Sequence, residues 1–307
     1  MTEQYMEFDA GQVDSIDQAT VELSGPQYPV VQWHYGDTKA KRAGGMAWQG
    51  GWFVKSEFVD EAAMLAAGWT KEAWMHDSGS EEEGYWRREM AVSVIAIRKR
   101  WEVNGDGPRQ NFAWNDYEKA TAIGKAAGRT HVLVLIKGLE AAGPFVLTLK
   151  SSAAMGFEGG RNSAGALTKF AQTVIRRANM ESDAAAKKAG KAGGKKWPYR
   201  AFWLPVGANR DKDGNPVFVE VGKDKNTKNV CLPVALGLPE KAEQVDLKRF
   251  YVGNDLLKQV NDLFSDNAEW ANAWNNIIPG ATDSGATVTP EVEEPALDDA
   301  ALAATGL

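Results

Sequence analysis

The chain has 307 residues, of which 44% are apolar and 25% are charged, and its formal net charge is −6. This size and composition are typical of a protein with one large core or two smaller ones. A single cysteine, Cys231, excludes an internal disulfide framework and a zinc site built from several cysteines. The N-terminus lacks a signal-peptide pattern and no apolar run approaches the length of a membrane span. We therefore expect a cytoplasmic protein that does not bind membranes.

The charges are unevenly distributed along the chain. No lysine or arginine follows Lys258, whereas nine acidic residues do, which leaves residues 1–258 with 35 basic and 32 acidic side chains. A mildly basic body is thus followed by a purely acidic end, and the five lysines between Ala184 and Lys196 indicate either a polyanion-binding loop or a solubilising insertion. Composition also predicts three parts: a flexible arm at residues 1–25, a folded core at 26–278 and a disordered acidic tail at 279–307.

The first half of the core is predicted to be rich in strands. Asp60 has the residue type that caps a helix over Glu61–Ala67, and Gly68 would end this helix in the left-handed conformation. Thr70–His76 is predicted to add a further helical turn. Short strands are expected at Val30–Tyr35 and Trp52–Val54, and one long strand at Tyr85–Val103.

The second half is predicted to alternate strands and helices. His131–Lys137 and Phe145–Lys150 form two strands joined by a turn, and Ser163–Asn179 has the spacing of an amphipathic helix. The low-complexity stretch Ala184–Lys196 is expected to be a mobile loop. Tyr199–Val206 and Pro216–Val221 are predicted to pair as a hairpin. Asn254 is expected to cap a helix that ends the core.

This order of elements favours a β-rich α+β fold. Several strands, one amphipathic helix and then a two-stranded hairpin match the order of an OB-like barrel, to which further helices would be added. Only the order of the elements supports this prediction, and unrelated folds can share the same order.

No motif for catalysis is present, and the prediction is that the protein is not an enzyme. The histidines are far apart in the sequence, HExxH does not occur, and no glycine-rich phosphate loop has the required spacing. Cys231 lies in an apolar, strand-like context and is expected to be a buried structural residue. We therefore expect no metal site and no cofactor.

Aromatic and basic residues alternate repeatedly, which is typical of proteins that bind single-stranded nucleic acid. Such proteins follow phosphates with a basic groove and stack bases on aromatic rings. Strict alternation from Tyr199 would place Tyr199 and Trp203 together on an outward face. The candidate nucleic-acid-binding residues are Arg87, Arg88, Arg98, Arg100, Trp101, Lys187, Lys188, Lys191, Lys195, Lys196, Trp197, Tyr199, Arg200 and Trp203.

With these features the chain resembles single-stranded DNA-binding proteins of the bacterial and phage type. The shared features are an OB-like order, aromatic and basic strands, a basic loop and an acidic C-terminal tail. The chain also resembles uncharacterised phage and cyanobacterial proteins in Ala67-Gly68-Trp69, His76-Asp77-Ser78-Gly79 and Gly84-Tyr85. The resemblance implies protection of replication or recombination intermediates, with single-stranded DNA or RNA as the ligand and homo-oligomers as a possible state.

The tail departs from the bacterial pattern, in which an acidic run ends in an aromatic residue that docks partner proteins. Here Asp298-Asp299 are followed by small and aliphatic residues up to Leu307. Recruitment of replication or recombination proteins by the tail would therefore need other residues than in the bacterial proteins. The alternatives are an assembly protein with a tryptophan-rich surface for protein or carbohydrate, and a nucleic-acid enzyme whose carboxylates the spacing does not reveal.

Overall fold

The computed structural model describes residues 28–36, 50–75, 81–104, 110–159, 164–221 and 228–276. They form a mixed α/β protein in which a large sheet is packed against several helices. The predicted arm at residues 1–25 and the predicted acidic tail at 279–307 lie outside the described residues.

Ten of the twelve described strands belong to one sheet. The strands are β1 (Val30–His34), β2 (Gly51–Lys55), β3 (Thr70–Met75), β4 (Glu81–Arg87), β5 (Glu89–Asn104), β6 (Gln110–Ala113), β7 (Lys125–Ile136), β8 (Phe145–Lys150), β9 (Leu204–Ala208), β10 (Phe218–Val221), β11 (Lys228–Cys231) and β12 (Pro233–Ala235).

The sheet is mixed, and its order is β12-β9-β5-β7-β8-β1-β2-β4-β3, with β6 added beside β5. Only the β1–β8 pair is parallel among the described pairings. Strands β10 and β11 form a separate two-stranded ribbon. The described strands at the two ends of the sheet, β12 and β3, do not pair with each other. The described strands therefore do not form the closed OB-like barrel that the sequence predicted.

Of the seven described helices, four lie between strands and three follow the last described strand. They are α1 (Glu61–Ala66), α2 (Tyr117–Ile123), α3 (Ser151–Glu158), α4 (Ala166–Phe170, a π-helical part at Ala171–Ile175, and Arg176–Lys188), α5 (Leu247–Phe250), α6 (Asn254–Asp266) and α7 (Ala268–Asn272). Short 3-10 turns include Trp114–Asp116, Tyr199–Ala201 and Ala273–Asn276.

The sheet is covered on both faces. The larger core joins one face to α3 and α4, where Phe157 and Phe170 are fully buried against strand residues such as Val132. A smaller cluster on the other face joins Leu133 of β7 to Val260 of α6. Burial of large apolar side chains from both faces is the main stabilising contribution to this arrangement.

Two predictions in the first half are wrong at the level of single segments. Thr70–Met75 is an edge strand, not a helix, because it pairs with β4 along its whole length. The long strand predicted at Tyr85–Val103 is two strands, since the chain bends at Arg88. β4 then pairs with β2 and β3, whereas β5 pairs with β6, β7 and β9.

Three predictions in the second half are also wrong. The hairpin does not form, because β9 pairs with β5 and β12, whereas β10 pairs with β11. Part of the expected mobile loop is helical: α4 continues to Lys188, in keeping with the strong helix propensity of alanine and lysine. Asn254 does not cap α6, because it is the first residue of the helix, after Gly253 at the N-cap, and its side chain accepts a hydrogen bond from the Tyr251 hydroxyl.

Several local predictions are confirmed. Asp60 caps α1 by accepting a hydrogen bond from the Ala63 N–H, and Gly68 follows with a φ of +81°. β7 and β8 are antiparallel neighbours, and the amphipathic helix is present within α4. Cys231 is buried, and burial raises the pKa of its thiol to about 11. Within the described ranges, no helix is long and apolar enough to cross a membrane.

Candidate nucleic-acid interface

Four basic side chains lie together on one face of the sheet. Arg98 and Arg100 of β5 pair in register with His131 and Arg129 of β7. Side chains directly opposite each other on antiparallel strands share a face, so the four form one patch. Glu102, two residues further along β5, contributes the opposite charge.

The C-terminal helices cover this patch with aromatic rings. The guanidinium carbon of Arg98 lies 4.0 Å from the ring centroid of Trp270 and 4.2 Å from that of Trp274. The Arg100 guanidinium lies 4.5 Å from the Trp274 centroid. Cation–π contacts of this kind contribute about 0.5–2 kcal/mol each. In this conformation the two arginines therefore hold the C-terminal helices on the sheet.

Arg200 is used in the same way. Its guanidinium carbon lies 4.1 Å from the ring centroid of Phe264, and its Nε donates to Asn261 Oδ1 at 2.7 Å. Both partners belong to α6. Three of the arginines proposed from the sequence as phosphate contacts are thus engaged by the last described helices.

Burial and the neighbouring arginines together lower the pKa of His131. Arg129 forms a buried ion pair with Glu102, whose carboxylate oxygen lies 2.8 Å from the guanidinium. Burial, followed by the charges of Arg100, Arg98 and Arg129, lowers the pKa of His131 well below its usual value. The imidazole is therefore neutral at neutral pH.

Trp101, Trp114 and Tyr117 form a second cluster, the aromatic platform, on the opposite face of β5. The rings of Trp101 and Trp114 are stacked, with centroids 4.3 Å apart and an interplanar angle of 7°. The Trp101 Nε1–H donates to the Trp114 carbonyl at 2.8 Å, and the Tyr117 centroid lies 4.7 Å from that of Trp101. Trp114 and Tyr117 are 40% and 38% exposed, which is unusual for such large rings.

Local chain geometry explains the platform. β6 pairs with the end of β5, and the 3-10 turn at Trp114–Asp116 then leads the chain into α2. Trp114 and Tyr117 are three residues apart and so lie on the same side of the turn. At Gly128 of β7, an added Cβ would be 3.4 Å from the Trp101 ring and 3.5 Å from the Trp114 ring. These are ordinary van der Waals distances, so both rings of the stacked pair pack directly over this position of β7.

Charges of both signs surround the platform. The Lys99 ammonium lies 5.3 Å from the Trp114 ring centroid and forms an ion pair with Glu158. Lys119 pairs with Asp116 at 2.7 Å. The platform can therefore place an ammonium group beside a ligand that rests on exposed indole.

The remaining predicted lysines form the lysine segment, residues 187–196, at the end of α4. No described carboxylate forms an ion pair with Lys187, Lys188, Lys191 or Lys195, and all four are exposed. Lys196 differs, because its ammonium lies 2.9 Å from Asp183 Oδ2. The segment thus presents several positive charges to solvent.

Three side chains of α4 attach the end of the lysine segment to the helix. Asn179 Oδ1 accepts from the Trp197 N–H at 2.8 Å, Ser182 Oγ donates to the Lys195 carbonyl at 2.8 Å, and Asp183 Oδ1 accepts from the Gly194 N–H at 2.9 Å. The Lys196 hydrogen bond and then the Gly194 N–H lower the pKa of Asp183. This part of the predicted mobile loop is therefore hydrogen-bonded to the protein.

The other predicted residues do not join either cluster. Trp203 is only 5% exposed, so the outward pair that it was expected to form with Tyr199 does not exist. The reason is the 3-10 turn at Tyr199–Ala201, which breaks the strand alternation. Tyr199 is exposed and stacks on Phe170, and Arg87 donates to the Ala67 carbonyl. Burial, then the nearby charge of Arg210, lowers the pKa of Arg88.

Sequence reasoning missed Trp114, Tyr117 and the three α4 side chains. Aromatic residues three apart, directly after a short strand, were a signal for the platform. The attachments of Asn179, Ser182 and Asp183 had no comparable signal, because they depend on how the chain returns to α4. Among the described residues, no group of three potential metal-ligating side chains comes together.

Comparisons with protein-family models, with curated proteins and with solved structures found no significant match to this chain.

Proposed function

We propose that the protein binds single-stranded nucleic acid without strong sequence preference, with DNA as the expected ligand, and that it protects replication or recombination intermediates. The aromatic platform is the observation that carries this proposal. A stacked pair of indoles with an exposed outer ring is the kind of surface on which unpaired bases stack. The exposed lysine segment supports the proposal, because phosphates require cations that carboxylates have not already neutralised.

The proposal does not need a closed OB-like barrel. OB proteins bind single strands on a sheet face that carries aromatic and basic residues. Here the platform lies at the end of β5 beside Lys99, whose ion pair with Glu158 a phosphate would have to displace. Arg98, Arg100 and Arg200 could contact phosphate only after the C-terminal helices that cover them had moved away.

A second candidate function is a tryptophan-rich surface that binds carbohydrate in an assembly protein. The charges beside the platform favour it, since Asp116 is already paired with Lys119 and the exposed Glu118, next to Tyr117, would repel phosphate. A neutral sugar ring would stack on the same indole without that repulsion. The two candidates differ in charge dependence, because only nucleic-acid binding must weaken steeply as salt rises.

The test is the affinity for a fluorescein-labelled oligo-dT, measured by anisotropy with wild type, Trp114→Ala and Phe58→Ala. Phe58 is an equally exposed aromatic residue between β2 and α1 and serves as the matched control. Loss of one stacked base costs about 1–3 kcal/mol, so Trp114→Ala should weaken binding about 5- to 150-fold. Phe58→Ala should bind as wild type does. Equal affinities for all three proteins would refute the platform's role.

A further inference from the structure

We propose that a pocket beneath the lysine segment holds a single nucleobase of the bound strand. This inference rests on the proposed function and adds a second base-binding position to it. The pocket has a volume of about 410 Å³ and lies between α4, the chain around Trp197 and α5. Its size falls within the range of about 300–1,000 Å³ that is typical of small-molecule sites.

The lining of the pocket suits a flat, apolar ring. Its apolar side chains are Ala178, Trp197, Phe202, Leu247 and Tyr251. The Trp197 ring meets those of Phe202 and Tyr251 at interplanar angles of 62° and 85°, with centroids 5.7 and 6.0 Å away. Rings arranged in this way face different directions around the pocket, so an entering base can lie against one of the ring faces.

The pocket walls are held in place by hydrogen bonds. The backbone N–H of Trp197 donates to Asn179 Oδ1 at 2.8 Å, and the Tyr251 hydroxyl donates to Asn254 Oδ1 at 2.6 Å. A preformed pocket loses less conformational entropy when a ligand enters, which favours binding.

The charges at the rim indicate an anionic ligand. Lys248 is exposed at the rim, and Ser182, also in the lining, carries the hydrogen bond to the Lys195 carbonyl that fixes the lysine segment there. The one acidic lining residue, Glu181, is paired with Arg177 at 2.9 Å. An apolar pocket with Lys248 at its rim and the lysine segment attached beside it complements a base that carries its own phosphates, whereas a neutral apolar peptide would gain nothing from these positive charges.

The experiment uses the full chain and an oligo-dT with a single 2-aminopurine. Fluorescence of this base is quenched when it stacks on aromatic rings. We expect Ala178→Leu, which fills the pocket, to reduce this quenching at least threefold in the Trp114→Ala background, where the exposed ring of the platform is absent, while the protein still binds the oligonucleotide. Ala184→Leu makes the same change on an exposed part of the same helix and should quench as Trp114→Ala alone does.

A second pair of variants covers the case in which Ala178→Leu does not fold, which its melting curve would show. Lys248→Glu places a carboxylate at the rim and should also reduce the quenching, whereas Lys241→Glu adds the same charge outside the lining and should not.

The outcomes separate this inference from the proposed function. Binding that depends on Trp114, with quenching unchanged in both folded pocket variants, would overturn the pocket alone. No binding of the oligonucleotide by any form would refute nucleic-acid binding itself. If a neutral tryptophan-containing peptide were bound in a manner that Ala178→Leu abolishes, without quenching of 2-aminopurine, the pocket would be a peptide site and the inference wrong.

Discussion

His131 connects the arginine patch to the pH dependence of stability. Its folded-state pKa is lowered, first by burial and then by Arg100, Arg98 and Arg129, so the folded protein keeps the imidazole neutral. The unfolded chain takes up a proton as pH falls through about 6.5. Below that pH, protonation stabilises the unfolded state, so the free energy of unfolding falls as the pH falls. The fall continues until the pH reaches the lowered folded-state pKa, where the folded protein takes up the proton as well.

We therefore predict that the free energy of unfolding falls by up to about 1.4 kcal/mol per pH unit below pH 6.5 because of this single residue. Replacing the imidazole by an amide in His131→Gln should flatten that dependence. Urea unfolding between pH 5 and 8 measures both proteins. The same slope in the variant as in wild type would show that His131 titrates normally in the folded state.

Gly84 shows a steric requirement that no local pattern reveals. It lies in β4 between β2 and β3, opposite Lys55 and Glu72. An added Cβ would be 2.3 Å from the Val54 carbonyl oxygen and 2.4 Å from the Phe53 ring. Real Cβ atoms do not approach a backbone atom so closely, so the strands would have to separate.

We expect Gly84→Ala to destabilise the protein by about 1–3 kcal/mol, in the range typical of overpacking. Gly193→Ala is the control, because an added Cβ there has no neighbour within 4 Å. Chemical denaturation of both variants measures the difference. Equal stabilities would mean that the sheet adapts around position 84 without cost.

At the scale of elements, the lysine segment extends α4 and projects charge into solvent. If it contacts phosphates, the double variant Lys191→Ala and Lys195→Ala should bind single strands of any sequence, oligo-dT included, more weakly than wild type does. Its affinity should also depend less steeply on salt. Each lost contact should reduce the slope of log K against log salt by about 0.7 for a single strand. These two lysines are chosen because their removal leaves the Lys196–Asp183 ion pair intact.

The control is Lys212→Ala with Lys241→Ala, which removes the same charge from exposed positions elsewhere. Titrations at four or more salt concentrations give the slopes. A double variant at 191 and 195 with the slope of wild type would show that the segment does not contact phosphate.

The elements that sequence predicted well are those whose signal is local. The Asp60 cap, the β7–β8 pair and the amphipathic part of α4 each depend on residues close in sequence. The elements it predicted wrongly depend on distant partners. β3 is a strand because β4 lies beside it, and β9 joins β5 and β12 instead of β10.

At the scale of the whole molecule, the two faces of β5 have different roles. Arg98 and Arg100 face the C-terminal helices. On the opposite face, Trp101 is part of the platform and Lys99 lies beside it. The sequence prediction grouped these residues as one basic and aromatic site, because they are adjacent along the chain. Alternation along a strand separates them. Which face of β5 meets Trp270 and Trp274 depends on where the last described helices pack, and no local pattern contains that information.

The most direct test of nucleic-acid binding is intrinsic tryptophan fluorescence during titration with oligo-dT and with a duplex of equal length, at low and high salt. We predict quenching by the single strand because bases stack on exposed indole. The quenching should weaken as salt rises because phosphate contacts are screened, and the duplex should quench less. Unchanged fluorescence with both nucleic acids at low salt would contradict the account and favour the carbohydrate-binding or protein-binding surface.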